Sequence, residues 1–154
     1  MAVDLNDEIV QDFLVEAGEI LEQLGEQLVD LEVRPDDSDL LNSVFRGFHT
    51  IKGGAGFIGL NNLVEICHRS EDVFNLLRQH ERRVNSHLMD VVLRALDNVN
   101  EMFAQVRSGE DPSPAPEELL TALGDIIDGK AALPEEGGGA PVADAVEEMM
   151  AEPE

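Results

Sequence analysis

One short segment of the chain combines side chains that can do chemistry with an unusual number of glycines. It places His49 and Lys52 three residues apart and follows them with Gly53, Gly54 and Gly56. A neutral imidazole is a nucleophile, and a lysine ammonium is a mobile point charge that can partly neutralise an anion. The combination suits covalent transfer of a phosphoryl group to His49, with Lys52 balancing some of the charge that the group brings.

The glycines do not interrupt the helical pattern of this segment. Apolar residues recur at spacings of three and four through it, at Leu41, Val44, Phe48, Ile51, Ala55 and Ile58. That spacing predicts one helix with one buried stripe. At about 100° per residue, His49 lies about 130° from the centre of the stripe, and Gly53 and Gly56 lie within about 40° of His49. We therefore predict that Gly53 and Gly56 form a docking face, cleared of side chains, around an outward His49.

A second pair of candidate residues lies further along the chain. His68 and Glu71 are three residues apart, on a predicted helix whose buried positions run from Leu63 to Leu77. Helical spacing puts both on one face, which we expect to turn away from those positions. If this helix is the antiparallel neighbour of the His49 helix, His68 and Glu71 join His49 in one surface cluster. Glu71 would then accept a hydrogen bond from Nδ1–H of His49, and His68 would tune protonation or supply another hydrogen bond.

These motifs resemble a known family. The chain reads HTIKGGAG at residues 49–56 and HRSE at residues 68–71, which is similar to the N-terminal histidine phosphotransfer (Hpt) domain of chemotaxis histidine kinases of the CheA type. The resemblance extends over about residues 5 to 129. It implies that His49 accepts the γ-phosphoryl group of ATP from a kinase domain and passes it to an aspartate of a response-regulator receiver domain. It also implies that Lys52, His68 and Glu71 are the other active residues of the site.

The phosphoryl donor is expected to come from outside this chain. The sequence has no Walker-type phosphate loop, no kinase glycine-rich loop after a strand and no Asp/Asn magnesium pair. We therefore predict no cofactor in the chain itself, with ATP and Mg²⁺ supplied by the kinase domain and Mg²⁺ by the response regulator. On this interpretation the chain is not catalytic alone, and its parent resembles an ATP-dependent protein-histidine kinase.

The elements that must position these residues are all helical. Apolar periodicity and chain breakers predict long helices near residues 7–31, 39–58, 62–80 and 86–109, with Asn6 and Ser86 as candidate caps. Short connections favour an all-α, up-down four-helix bundle, and residues 117–127 predict a short fifth helix packed on it. We assign residues 1–129 to the bundle. Residues 130–154 read as an acidic, Gly/Ala/Pro-rich flexible linker, disordered at least from Pro134, where seven acidic and no basic residues follow.

Composition narrows the class of partner. The formal net charge is −23, which argues against nucleic acid and favours a protein partner with a basic docking surface. Cys67 is the only cysteine and is predicted to be a buried, inert thiol. No apolar stretch is long enough to span a membrane and no leader precedes the first helix, so we expect a cytoplasmic protein without membrane insertion. We expect a monomer, because one chain can fill the four-helix interior.

Three alternatives compete with this interpretation. Two histidines and a glutamate could ligate zinc or iron across facing helices, although such bundles hold their ligands inside and these histidines are predicted to face outward. The helical face could also bind a partner without any chemistry. The linker-like tail suggests that the chain is a fragment of a larger kinase. The third alternative is a stand-alone Hpt protein of a multistep phosphorelay.

Overall fold

The described part of the chain is built from five α-helices. The computed structural model describes residues 3–129, and within that range every regular element is helical. The helices are α1 (Glu8–Val33), α2 (Ser38–Phe57), α3 (Asn61–Arg78), α4 (Ser86–Arg107) and α5 (Glu117–Asp128). This confirms the predicted all-α bundle of four long helices and a short fifth. The predicted flexible linker at 130–154 lies outside the described residues.

Short polar side chains fix where three of the long helices begin. Asp7, Asp37 and Asn85 each accept a hydrogen bond from a backbone N–H in the first turn of α1, α2 and α4. The predicted caps Asn6 and Ser86 are therefore wrong by one residue each. Two adjacent residues such as Asn85 and Ser86 both have side chains that can cap a helix, so residue type alone does not identify the cap. The cap is the residue whose backbone is still extended, as at Asn85 (φ −140°, ψ 178°).

The core holds α2 firmly against α3, the two helices that carry the candidate residues. Phe48 of α2 and Phe74 of α3 are fully buried and stack with ring centroids 5.9 Å apart. Both rings belong to one buried cluster that also includes aliphatic side chains of α1 and α4. The relative position of α2 and α3 is thus set by packed apolar surface, which leaves little freedom to slide one helix along the other.

The fifth helix closes the bundle on the side of α3 and α4. Its own apolar side chains Leu119, Leu123 and Ile126 are buried against the bundle. Arg82 donates to the carbonyls of Ile126 and Ile127 at 2.9 and 3.0 Å. These carbonyls belong to the last turn of α5, and the carbonyl of Ile126 also accepts from the backbone N–H of Gly129 at 3.2 Å. Arg82 therefore caps the C-terminus of α5 from the loop after α3.

Two glycines of α2 allow α1 to approach closely. A Cβ on Gly54 would lie 2.7 Å from Cδ1 of Phe13, and a Cβ on Gly47 would lie 2.8 Å from Cδ2 of Leu24. Both distances are too short for real carbon atoms. The helical cost of these glycines is therefore offset by the packing of α2 on α1.

Each of the five helices is too short or too polar to cross a lipid bilayer, which holds for residues 3–129.

Candidate functional site

Helices α2 and α3 bring three of the four predicted residues into contact. Nδ1 of His49 contacts Oε2 of Glu71, and Nζ of Lys52 contacts Oε1 of the same carboxylate. The side chain of His49 is 61% exposed, whereas that of Glu71 is 7% exposed. An outward imidazole is thus held from below by a buried carboxylate, whose second oxygen is occupied by a lysine.

The burial of Glu71 differs from the prediction of a surface position. Helix α3 packs against α2, α4 and α5 together, so its buried surface is wider than one apolar stripe and includes Glu71. Taking a carboxylate out of water is costly unless its oxygens are hydrogen-bonded to charged or polar groups. His49 and Lys52 supply those bonds.

The charge state of Glu71 follows from these contacts. Burial alone would raise the pKa of Glu71, but the hydrogen bonds from Lys52 and His49 outweigh burial and hold that pKa below its ordinary value of 4.5. Glu71 is therefore ionised at neutral pH and can only accept hydrogen bonds. In the neutral imidazole of His49 it is therefore Nδ1 that carries the proton, which leaves the lone pair on Nε2.

We predict that Glu71 makes folding stability sensitive to acid. Because its folded pKa is lowered, its stabilising contribution is present above the unfolded pKa and is lost as the pH falls through the folded pKa, below 4.5. The free energy of unfolding of the parent should exceed that of Glu71→Gln most at neutral pH, and the difference should shrink below pH 4.5. Urea titrations of both proteins across this range check the prediction, and a pH-independent difference would contradict it.

His68 lies apart from the other three residues. Its Nε2 is 3.3 Å from Oδ2 of Asp72, one turn further along α3, and both side chains are largely exposed. Within residues 3–129 no hydrogen bond joins His68 to His49 or Glu71. Among residues 3–129 the predicted cluster of four is therefore a cluster of three, and the carboxylate that His68 contacts is Asp72 of its own helix.

The position of His68 leads to a prediction about its role. We expect His68→Gln to change the phosphorylation rate of His49 by less than about fivefold, because an exposed pair contributes at most about 1 kcal/mol. The measurement is the initial rate of phosphorylation, with Asp72→Asn as the matched variant that removes the same pair from the other side. A loss in His68→Gln as large as that in Glu71→Gln would return His68 to the site.

The predicted docking face around His49 is open. Nothing lies within 4 Å of a Cβ placed on Gly53, and a Cβ on Gly56 would meet only Val64 Cγ2 at an ordinary 3.8 Å. Phe57, at the end of the same helix, is 76% exposed. The surface beside the imidazole is therefore free of covering side chains and is bordered by an exposed aromatic ring.

One aromatic contact to the histidine was not predicted from the sequence. The ring of Phe45 is nearly parallel to that of His49, with an interplanar angle of 9° and centroids 6.1 Å apart. The guanidinium carbon of Arg78 lies 3.7 Å from the centroid of Phe45. The spacing of four residues between Phe45 and His49 was a readable signal, whereas the approach of Arg78 from α3 was not.

The described residues do not include a set of side chains that could bind a metal ion. Residues 3–129 contain no group of three or more His, Cys, Asp or Glu side chains placed to hold an ion. Cys67 is buried and unpaired, as predicted for an inert thiol. Burial, followed by the nearby charge of Glu71, raises the pKa of Cys67 to about 12, so the thiol stays protonated at neutral pH.

Comparison with known proteins agrees with this geometry. The family model of the Hpt domain matches residues 8–109. Relatives include the sensor histidine kinase CheAY of Helicobacter pylori, 47% identical over 105 residues, or 68% of this chain and 13% of that protein. The chemotaxis protein CheA of Salmonella typhimurium is 32% identical over 120 residues, or 78% of this chain and 18% of that protein. The chain thus spans less than a fifth of the length of these two relatives.

Solved structures share the fold. The CheA phosphotransferase domain from Thermotoga maritima matches with a TM-score of 0.61 and 30% identity, covering 66% of this chain and 98% of that one. A solution structure of the histidine phosphotransfer domain of CheA matches with a TM-score of 0.69 and 30% identity, covering 84% of this chain and 96% of that one. The phosphorylated P1 domain of CheA3, solved in complex with CheY6 from R. sphaeroides, matches with a TM-score of 0.72 and 24% identity, covering 81% of this chain and 99% of that one. At that identity the match supports the fold alone. By sequence and by fold, this chain belongs to the Hpt domain family.

Proposed function

We propose that this chain is the phosphoacceptor and phosphocarrier domain of a two-component chemotaxis histidine kinase. In this proposal His49 receives the γ-phosphoryl group of ATP from a kinase domain and passes it to an aspartate of a response regulator. The observation that carries the proposal is the contact between Nδ1 of an exposed His49 and a buried, ionised Glu71. That contact leaves Nε2 as an outward nucleophile.

The first step forms a bond between nitrogen and phosphorus. The lone pair of Nε2 attacks the γ-phosphorus, and the bond from that phosphorus to the bridging oxygen of ADP breaks, with its electron pair leaving on ADP. The imidazole keeps its proton on Nδ1 and gains positive charge as the bond forms. Glu71 accepts that proton in a hydrogen bond and stabilises the charge, as a buried carboxylate does for an imidazolium.

Lys52 has two tasks in this scheme. Its contact with Oε1 of Glu71 keeps the carboxylate ionised and oriented toward His49. An ammonium has three donors, so the remaining ones can bind phosphoryl oxygens once His49 is modified. The partial exposure of the Lys52 side chain, 23%, leaves room for this.

The second step returns His49 to its starting state. A carboxylate oxygen of the receiver's aspartate attacks phosphorus, the bond to Nε2 breaks, and its electron pair returns to Nε2. The incoming carboxylate and its surroundings need close access. The open surface at Gly53 and Gly56 supports that approach.

The donor and acceptor machinery belongs to the partners in this proposal. ATP and Mg²⁺ would be bound by the kinase domain of the parent protein, and a further Mg²⁺ by the receiver domain. The kinase assignment is supported by the CheA relatives, of which this chain spans only a small part. The receiver assignment is supported by the open surface at Gly53 and Gly56 beside the exposed His49.

The test is a labelling experiment with a CheA-type kinase domain and ATP carrying radiolabel on its γ-phosphoryl group. We expect acid-labile, alkali-stable label on the chain, none on His49→Gln, and parent-like label on His80→Gln and His87→Gln, whose histidines lie in the α3–α4 loop and at the start of α4. Adding a CheY-type receiver should remove the label. Unchanged labelling of His49→Gln would overturn the proposal. A folded parent that binds the kinase domain without becoming labelled would favour a docking module without chemistry.

A further inference from the structure

We propose that Phe45 and Arg78 are positioning residues that fix the plane of the His49 imidazole for phosphoryl transfer. This inference rests on the proposed function and deepens it. It concerns the orientation of the ring, whereas Glu71 determines which nitrogen is free. The two residues reach the site from different helices, Phe45 from α2 and Arg78 from the last turn of α3.

The guanidinium of Arg78 is held in place by neutral groups. Its Nε donates to Oδ1 of Asn75 at 3.0 Å, and its Nη1 donates to Oδ1 of Asn42 at 3.2 Å. Arg78 forms no salt bridge with any residue in the range 3–129, although acidic residues outnumber basic ones by 33 to 10 in the whole chain. Two amides thus hold a planar cation over an aromatic face.

Phe45 passes this constraint to the histidine. With the guanidinium carbon 3.7 Å from its centroid, the Phe45 ring is held by a cation–π contact. One turn later the imidazole of His49 is nearly parallel to this ring, with an interplanar angle of 9° and ring centroids 6.1 Å apart. Arg78, Phe45 and His49 therefore form a continuous stack that starts on α3 and ends at the nucleophile.

The need for this second constraint follows from the tolerance of a hydrogen bond. A hydrogen bond keeps most of its strength over about 30° of misalignment. Productive geometry at a reacting centre requires about 10 to 20°. The contact between Glu71 and His49 is therefore too permissive to fix the imidazole plane alone, and the parallel Phe45 ring removes the remaining rotation.

The stack is placed at the edge of the bundle, where core packing does not explain it. Phe48 and Phe74 already fill the interface between α2 and α3 and are fully buried. Phe45 is only half-buried and borders the exposed His49. A side chain with a purely packing role at this edge would not need an aromatic ring aligned with the imidazole.

Three variants of the full chain test the inference. Phe45→Leu removes the ring but keeps an apolar side chain, Phe45→Tyr restores a ring, and Arg78→Met removes the cation but keeps an unbranched stem. The first readout is NMR relaxation and chemical shift of the His49 ring in isotope-labelled protein. The second is the rate of His49 phosphorylation by phosphoramidate, a small phosphoryl donor that requires neither a kinase nor a receiver.

We expect greater ring motion at His49 and a phosphorylation rate about three- to tenfold lower in Phe45→Leu and Arg78→Met, with rescue in Phe45→Tyr. In these two variants the rate of phosphoryl transfer from His49 to a saturating receiver domain should also fall, while the receiver concentration that gives half of the maximal rate is unchanged. Parent-like ring motion and rates in Arg78→Met, which leaves Phe45 in place, would overturn the inference even if Phe45→Leu fails to fold. Failure of the proposed function would appear differently, as His49→Gln retaining the label given by the kinase domain.

Discussion

Replacing Glu71 by glutamine is expected to slow phosphorylation of His49 by about 10²-fold while the helical fold is kept. A glutamine amide can donate to Nδ1 as well as accept from it, so it no longer forces the proton onto Nδ1. It also lacks the charge that stabilises the imidazole as the nitrogen–phosphorus bond forms. The measurement is the single-turnover rate with a CheA-type kinase domain and ATP, alongside the helical circular dichroism signal.

Glu65→Gln is the matched control for this variant. Glu65 is an exposed glutamate of the same helix and lies 3.6 Å from Arg69, in a pair that faces solvent. It should leave the rate at the parent value, since exposed pairs contribute little. Equal rates in the parent, Glu65→Gln and Glu71→Gln would remove Glu71 from the mechanism.

Two neighbouring glycines of α2 are expected to respond to alanine in opposite directions. In Gly54→Ala the new Cβ would lie 2.7 Å from a ring carbon of Phe13, so either the Phe13 ring or one of the two helices must shift. Overpacking of this kind costs about 1 to 3 kcal/mol, against a helical gain of about 0.5 to 1 kcal/mol. We expect a net loss of about 1 to 2 kcal/mol in the free energy of unfolding, measured by urea denaturation.

Gly53→Ala provides the internal comparison. No atom lies within 4 Å of a Cβ at Gly53, so the helical gain of about 0.5 to 1 kcal/mol should appear as increased stability. The two variants differ by one position and by no other chemistry. If Gly53→Ala and Gly54→Ala lower the free energy of unfolding by the same amount, then Gly54 does not pack against Phe13 more closely than Gly53 packs against its own surroundings.

The course of the helices could be predicted from the sequence because it depends on local pattern. Apolar residues at spacings of three and four run through the glycines of α2, and the structure continues the helix through them to Phe57. The roles of the individual glycines could not be separated. Gly54 differs from Gly53 only in facing Phe13 of another helix, and that depends on how α1 packs.

The site was predictable to the extent that helix geometry determines it. Short connections make α2 and α3 neighbours, which brings His49 and Glu71 together as expected. The burial of Glu71 was not predictable, since it depends on three helices packing around α3. The Arg78–Phe45 contact depends on side-chain conformations across two helices, which spacing along one helix does not report.

In the proposed function, Nε2 of His49 carries the phosphoryl group while Nδ1 keeps its proton for Glu71. The most direct measurement is ³¹P and ¹⁵N NMR of the phosphorylated chain, labelled with ¹⁵N in its histidine rings. We predict a single phosphohistidine, at His49, with phosphorus coupled to Nε2 and a proton retained on Nδ1. Phosphorus coupled to Nδ1, or a phosphoryl group on His68, His80 or His87, would overturn the assignment of Nε2 of His49 as the phosphoryl carrier.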